Sequence, residues 1–296
     1  MSIQPKSSPA PATTPYRDVT AGSIPTSAEP SETPTRETYL GASTSWVQFG
    51  EGTRAFLAVP NRSTAPCGAV ILGHERYGLV QHTLDLAARF SRYGYICVAP
   101  DMASHWDGDK AALNRGEVRM PLGEDQIKYY YGKSLDFLLS DSRVDRRRIA
   151  AMGVCKSGGY PLLLNSVRDE VAANLMFYGG QTTKEEVVSK ITAPVLGIWG
   201  EMDHSISIDS MRKFRDCLER HNKSYDFKVL AQAPHGWLND TMPGRYRQPQ
   251  AEIAWAKMIE FLETVHNGYY SSKRVRQNFD MDIAEDYDFA KNIRLE

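Results

Sequence analysis

Short apolar runs alternate with amphipathic segments along most of the chain, and this alternation predicts the fold. Most of the runs are followed by glycine or proline, as expected for buried strands. They cover residues 69–72, 95–99, 148–152, 174–178, 195–199 and 227–230. Apolar residues at helical spacing predict helices over residues 82–93, 124–140, 158–167, 208–221 and 250–265. Strands that alternate with helices predict an α/β fold, with a mainly parallel, doubly wound sheet and helices on both faces.

Two more strands are predicted before this alternation begins. Residues 46–49 and 54–59 are strand-like and flank the turn Gly50-Glu51-Gly52, which is typical of a short antiparallel hairpin. The hairpin therefore precedes the parallel sheet.

Composition changes at both ends of the chain. Residues 1–42 are rich in Ser, Thr, Pro and Ala, so we expect a low-complexity arm that is disordered or extended on its own. Residues 43–266 form the predicted α/β domain. Residues 267–296 are polar and charged and are predicted to be a C-terminal extension. Either extension could serve the assembly of a homo-oligomer.

Charge and hydropathy restrict the class of partner. The formal net charge is -1, which gives no global reason to expect nucleic acid or an anionic membrane. No apolar stretch is long enough for a membrane span, and the N-terminus lacks the apolar core of a secretory signal. We therefore expect a cytoplasmic protein that acts on a small molecule.

The chain contains four cysteines, Cys67, Cys97, Cys155 and Cys217. None forms a CxxC pair, and we assign none to metal-ligand spacing from a histidine, so we predict neither a disulfide framework nor a metal site. No organic cofactor is expected. Cys67, Cys97 and Cys217 are interpreted as reduced, structural thiols.

Cys155 stands in a different context. An apolar strand runs into Gly153-Val154-Cys155-Lys156-Ser157-Gly158-Gly159, the strand–turn–helix arrangement of a nucleophile elbow. Small residues flank the cysteine because the turn is tight, and the helix N-terminus favours a thiolate. Two alternatives remain open at this point: a buried structural cysteine, or Ser157 as the nucleophile in a shifted register.

A cysteine nucleophile of this kind needs a histidine base and an acid that orients the histidine. In this fold class the order along the chain is nucleophile, acid, histidine. Asp203 follows the strand at 195–199, and His235 follows the strand at 227–230. Both would lie beyond the carboxyl ends of strands, where open α/β sheets place their sites. Glu201 is the competing acid.

The loop Gly73-His74-Glu75-Arg76-Tyr77-Gly78 follows an early strand and is expected to complete an oxyanion hole. The backbone N–H groups of Arg76 and Lys156 are the candidate donors. Together with the elbow and the loops bearing Asp203 and His235, this loop resembles the dienelactone hydrolase (carboxymethylenebutenolidase) family over roughly residues 45–265.

The resemblance implies an α/β-hydrolase fold and hydrolysis of an ester or lactone through a Cys-His-Asp triad and a thioester intermediate. It also implies that Glu75 contacts the resting thiol and helps to generate the thiolate. The alternative for Glu75 is a salt bridge to a nearby arginine. Two alternative functions are a general carboxylesterase on the same machinery and a non-catalytic binding or scaffold protein.

The sequence departs from the family where two arginines would hold a substrate carboxylate. His105 and Asn239 stand at the matching places, while Arg76 and Lys156 add positive charge elsewhere in the predicted site. Those two charges either face the substrate or are simply solvated. The aromatic residues Tyr77, Trp106 and Trp237, together with His105, are predicted to line the substrate pocket; the alternative is that the aromatics only pack the loops.

Overall fold

The computed structural model describes residues 41–62, 66–270 and 273–283. Within these ranges, nine strands form one sheet. They are β1 Ala42–Phe49, β2 Thr53–Pro60, β3 Cys67–Gly73, β4 Ile96–Pro100, β5 Val144–Val154, β6 Ala173–Phe177, β7 Val195–Gly200, β8 Tyr225–Leu230 and β9 Gln277–Met281. The α-helices are α1 Gln81–Arg92, α2 Lys110–Arg115, α3 Glu124–Ser140, α4 Tyr160–Asn165, α5 Glu185–Val188, α6 Ile208–Arg220 and α7 Gln248–His266.

The strand order is β1-β2-β4-β3-β5-β6-β7-β8-β9. β1 and β2 form an antiparallel hairpin, and β2 joins β4 in antiparallel orientation. From β4 to β9 every neighbouring pair is parallel. The predicted α/β-hydrolase fold, a mainly parallel sheet preceded by a short hairpin, is therefore confirmed.

Two apolar clusters pack on opposite faces of this sheet. Successive side chains of a strand point to opposite faces, and in β3 Ile71 belongs to one cluster while Leu72 belongs to the other. The cluster around Ile71 includes residues of α3 and α6, and the cluster around Leu72 includes residues of α1 and α7. Both faces are buried, which explains why the central strands appear in the sequence as continuous apolar runs.

Most predicted elements are present, and the differences have local causes. The helix predicted over residues 158–167 is the shorter α4, and a 3-10 turn, Cys155–Ser157, precedes it. The sequence analysis did not predict α2, α5 and β9, because these short segments lack a clear apolar period. None of the helices within the described ranges is long and apolar enough to cross a membrane.

The predicted extensions at the two ends fall partly beyond what the structure describes. Of the arm predicted over residues 1–42, all but the last two residues lie outside the described residues. Of the extension predicted over residues 267–296, the described part includes β9, which pairs with β8 at the sheet edge. Lys228 of β8 contacts Asp280 at 2.5 Å and Asp282 at 2.8 Å.

The turn after β5 depends on the absence of side chains. A Cβ atom on Gly153 would lie 1.9 Å from the backbone oxygen of Ser157, and one on Gly158 would lie 2.3 Å from Cα of Gly179. Within this turn Cys155 has a φ of 54°, a conformation that is costly for a residue with a side chain. Close backbone packing therefore holds Cys155 in an unfavourable conformation.

This packing predicts opposite effects for two glycine-to-alanine substitutions. Gly153→Ala should lower the free energy of unfolding by roughly 1–3 kcal/mol, because the turn must open to admit the methyl group. Gly132→Ala is the matched control, because Gly132 lies inside α3 and a Cβ there meets nothing within 4 Å. It should raise stability by about 0.5–1 kcal/mol. Denaturant unfolding of both variants measures the difference, and equal effects would contradict the packing argument.

Candidate active site

Cys155 begins the 3-10 turn that follows β5 and is partly exposed. The other three cysteines are buried. Ser157, the alternative nucleophile, is completely buried, and its hydroxyl donates to the carbonyl of Val154 and accepts from the amide of the same residue, both at 3.0 Å. The serine therefore closes the turn, and the geometry favours Cys155 as the reactive group.

His235 lies on the loop after β8 and connects Cys155 to Asp203. Its Nε2 atom is 3.1 Å from Sγ of Cys155, and its Nδ1 atom is 2.8 Å from Oδ2 of Asp203. The three side chains come from loops after β5, β7 and β8, which end at the same edge of the parallel sheet. The structure thus brings together the three residues that the sequence singled out.

The two candidate acids have separate roles in the structure. Asp203 is fully buried, and its Oδ1 atom accepts hydrogen bonds from the amides of Ser205 at 2.8 Å and Ile206 at 3.1 Å. These bonds leave Oδ2 facing the imidazole. Glu201 instead accepts a 2.7 Å hydrogen bond from the amide of Gln232. It is Asp203, therefore, whose carboxylate is fixed against the histidine.

The surroundings of His235 favour its charged form. Burial by itself lowers the pKa of His235, but the hydrogen bonds to Asp203 and Cys155 outweigh it and raise this pKa to about 10. An imidazolium held 3.1 Å from a sulfur atom stabilises a thiolate there. The arrangement therefore places a charged donor against the sulfur of the candidate nucleophile.

Glu75 is almost completely buried beside this group. Its Oε1 atom accepts a 3.0 Å hydrogen bond from the hydroxyl of Tyr178, and its Oε2 atom accepts one of 2.8 Å from the amide of Asn239. Among the residues that the structure describes, Glu75 forms no ion pair with an arginine. Both oxygens have neutral partners, and the contact with Cys155 that the resemblance implies stays a prediction.

Tyr178 and Asn239 are site residues that sequence reasoning missed. Tyr178 was assigned only to the end of a strand, but it has a φ of 37° and its ring contacts that of His235 edge-on at 5.4 Å between ring centres. Burial, followed by the charges of Glu75 and Cys155, raises the pKa of Tyr178 well above its usual range, so its hydroxyl stays a donor. Asn239 was noted only as the place of a missing arginine.

The predicted oxyanion donors occupy positions that leave their N–H groups available. Arg76 is the second residue of a turn closed by the amide of Gly78 and the carbonyl of Glu75 at 3.3 Å, a bond that does not use the amide of Arg76. Lys156 lies in the first turn of the 3-10 segment, where N–H groups have no acceptor within the helix. Their assignment to an oxyanion hole stays a prediction.

The predicted pocket residues differ in their placement. Trp237 is completely buried and packs against Phe177 and Tyr178, so its interpretation as a substrate-binding residue is corrected to one of loop packing. His105 is exposed, stacks on Tyr130 and binds the carbonyl of Glu51 at 3.1 Å.

The remaining two aromatic residues differ from each other as well. Trp106 is half-buried against the cluster around Ile71. Tyr77 is close enough to the site for the charges of Glu75 and Cys155 to contribute to its pKa, which burial raises. Of the predicted pocket residues, Tyr77 has the clearest link to the candidate nucleophile.

Two arginines lie close to Tyr77. The guanidinium of Arg76 lies 5.0 Å from the centre of the Tyr77 ring and donates a 2.5 Å hydrogen bond to the carbonyl of Gly116. Arg245, which the sequence analysis did not consider, also acts on Tyr77, because its charge lowers the pKa of that residue. Its Cδ atom would lie 3.5 Å from a Cβ on Gly236, the residue after the candidate base. Lys156 is exposed.

Comparison with other proteins gives a consistent result. The sequence model of the Dienelactone hydrolase family matches residues 53–266, more than half of the chain. A Yersinia pestis protein with the provisional name carboxymethylenebutenolidase is 25% identical over 225 residues, which cover 72% of this chain and 84% of that protein.

Solved structures share the fold. A dienelactone hydrolase-like promiscuous phosphotriesterase from metagenomic libraries superposes with a TM-score of 0.66 at 20% identity, over 76% of this chain and 99% of that one. The acylaminoacyl peptidase of Pyrococcus horikoshii superposes with a TM-score of 0.61 at 15% identity, over 78% of this chain and 43% of that one. The family match and the fold agree: the chain belongs to the dienelactone hydrolase family and is a hydrolase of lactone or ester substrates.

Proposed function

We propose that the protein hydrolyses its ester or lactone through a Cys155-His235-Asp203 triad and a thioester intermediate. One observation carries the proposal: His235 lies within hydrogen-bonding distance of the sulfur of Cys155 on one side and of a carboxylate oxygen of Asp203 on the other. This is the arrangement that a nucleophile, its base and the acid that orients the base require.

The first step forms the thioester. The thiolate of Cys155 attacks the carbonyl carbon, and the resulting oxyanion is held by the backbone N–H groups of Arg76 and Lys156. His235 gives its proton to the departing alkoxide, so the carbon–oxygen bond breaks and an alcohol leaves or the lactone ring opens. Asp203 keeps the imidazole oriented throughout.

The second step releases the acid. Once Cys155 is a thioester, its negative charge is gone, and with it one of the interactions that raise the pKa of His235. The imidazole can then accept a proton from water, which attacks the thioester carbonyl and expels the thiolate.

The substrate differs from that of relatives that use two arginines. Asn239 donates to Glu75, and His105 is exposed and bonded elsewhere, so neither supplies a cation to a substrate carboxylate. Arg76, Arg245 and Lys156 offer positive charge from other directions. We therefore expect weak or absent hydrolysis of dienelactone itself, and better turnover of another ester or lactone.

Alkylation should identify the nucleophile. Iodoacetamide should modify Cys155 first and abolish hydrolysis, because this thiol is partly exposed and adjoins His235, whereas the other three cysteines are buried. Peptide mass spectrometry gives the site and order of labelling. Cys155→Ala should lose activity by roughly 10³-fold or more. Loss of activity with Cys67 or Cys217 labelled and Cys155 intact would refute the assignment.

Substitution of the two carboxylates should separate their roles. Asp203→Asn should lower kcat by roughly 10⁴-fold, because an amide donor facing Nδ1 forces the wrong imidazole tautomer. Glu201→Gln is the matched control; it keeps an acceptor for the amide of Gln232 and should stay within a few-fold of wild type. Steady-state kinetics, with circular dichroism as a check on folding, decides. The reverse result would mean that Glu201 is the acid.

Neutral substitutions should reveal which cations face the substrate. Arg76→Gln, Lys156→Gln and Arg245→Gln should raise KM for an acidic ester by roughly 2–5-fold each if the charges contact it, since partly exposed pairs contribute little. KM for the matched neutral ester should not change. Arg212→Gln, on the exposed side of α6, is the control. Efficient dienelactone hydrolysis that none of the substitutions affects would contradict the proposed difference in substrate.

A further inference from the structure

A second group of reactive side chains lies between α5 and α6. Glu185, Cys217 and His221 each offer one atom able to bind a metal, and these atoms all lie within 4.8 Å of one another. Across residues 41–62, 66–270 and 273–283, no other trio of His, Cys, Asp or Glu residues meets this criterion. The catalytic proposal uses none of the three.

The fold explains why they meet. Cys217 lies in the last turn of α6 and His221 caps the same helix four residues later, so both side chains project from one face. Glu185 is the first residue of α5 and faces them from the neighbouring helix. Cys217 and His221 stand four residues apart, a spacing that the sequence analysis did not assign to metal ligands.

Each side chain presents a suitable atom to the centre of the group. Sγ of Cys217 lies 3.8 Å from Oε1 of Glu185 and 3.7 Å from the carbonyl oxygen of Thr183. Nε2 of His221 contacts Oε2 of Glu185. Arg220 donates a 2.7 Å hydrogen bond to Oε1, the carboxylate oxygen away from the histidine contact. Ligating carboxylates are commonly held by such an outer partner.

The alternative to a metal site is that Glu185, Arg220 and His221 form only an exposed cluster of ion pairs. Hydrogen bonds from these two residues lower the pKa of Glu185 to about 2, so the carboxylate is ionised. Such surface pairs contribute little to stability and have no need of a thiol. Burial in the cluster around Ile71 accounts for the presence of Cys217, but this alternative does not explain why its sulfur lies 3.8 Å from the same carboxylate.

We propose that Glu185, Cys217 and His221 form a binding site for a borderline-soft divalent metal ion of the Zn²⁺ or Co²⁺ type. A thiolate, an imidazole and a carboxylate are the ligands that zinc takes in proteins. Three protein ligands leave a fourth position for water or for the carbonyl of Thr183. The thiol proton of Cys217 passes to solvent as the sulfur binds the metal. Nε2 of His221 also releases its proton to solvent and the imidazole keeps one on Nδ1, so the hydrogen bond to Glu185 is replaced by two metal–ligand bonds.

The distances require only a small adjustment. Zinc–ligand bonds of about 2.0–2.3 Å in a tetrahedron separate the ligand atoms by roughly 3.3–3.8 Å. The side chains of Glu185 and His221 are solvent-accessible and can move by the ångström or so that this needs. A bound ion would tie α5, which follows the loop from β6, to α6, which follows the loop bearing Asp203.

Cobalt binding provides the test, using the full chain with Cys155→Ala so that the candidate catalytic thiol cannot contribute. We expect one equivalent of Co²⁺ to bind with a sulfur-to-cobalt charge-transfer band in the near ultraviolet, and Zn²⁺ to displace it. Cys217→Ser should abolish the band. His221→Gln and Glu185→Gln should weaken binding by more than about 100-fold, since even outer partners of metal ligands are worth about 10–100-fold. Glu186→Gln and Cys67→Ser are the matched controls and should bind normally.

Thermal unfolding gives a second readout. Zn²⁺ should raise Tm in the Cys155→Ala protein and in both controls, because an ion that binds the folded state alone stabilises it. It should leave Tm unchanged in His221→Gln, a surface substitution that keeps the buried Cys217 in place. Absence of the band, or normal binding in His221→Gln, would overturn the proposal. So would metal binding that requires Cys155, and none of these outcomes bears on the catalytic triad.

Discussion

The structure of the site depends on how closely the backbone at Gly153, at Gly158 and at Gly179 packs together at the carboxyl end of β5. Gly153, Gly158 and Gly179 leave no room for a Cβ atom, and this contact holds Cys155 at a φ of 54°. This conformation is unfavourable for the cysteine itself and is stabilised by the packing of the buried turn. Because the turn cannot relax, the sulfur stays within reach of His235, whose own loop is fixed by the end of β8.

Around this turn the protein compensates buried charge mainly with neutral donors. Asp203 is held by two backbone amides and the imidazole, and Glu75 by a phenol and a carboxamide. A buried carboxylate without such partners would be very unfavourable. Hydrogen bonds from neutral groups leave each charge less fully neutralised than an arginine would. The charge of Asp203 therefore acts on the imidazole, and its hydrogen bond is one of the interactions that raise the pKa of His235.

Local patterns were enough to predict much of this arrangement. The apolar strands and the flanking small residues predicted the fold and placed Cys155 at a turn, because both depend on residues close in sequence. Tyr178 and Asn239 could not be predicted in the same way, since their partner Glu75 is 103 and 164 residues distant. The burial of Trp237 was likewise a matter of tertiary packing. The pair Cys217 and His221 differs: its spacing was readable, and only the approach of Glu185 needed the fold.

The edge strand β9 affects more than the outline of the sheet. Without it, β8 would present a row of unpaired backbone groups to solvent, directly before the loop that carries His235. Such an open edge is a template for pairing with another chain. β9 is itself only five residues long. Its Asp280, together with Asp282 just after the strand, forms ion pairs with Lys228 of β8. A short, charged strand ends the ladder, and such an edge is a poor template for pairing with another chain beside the strand that precedes His235.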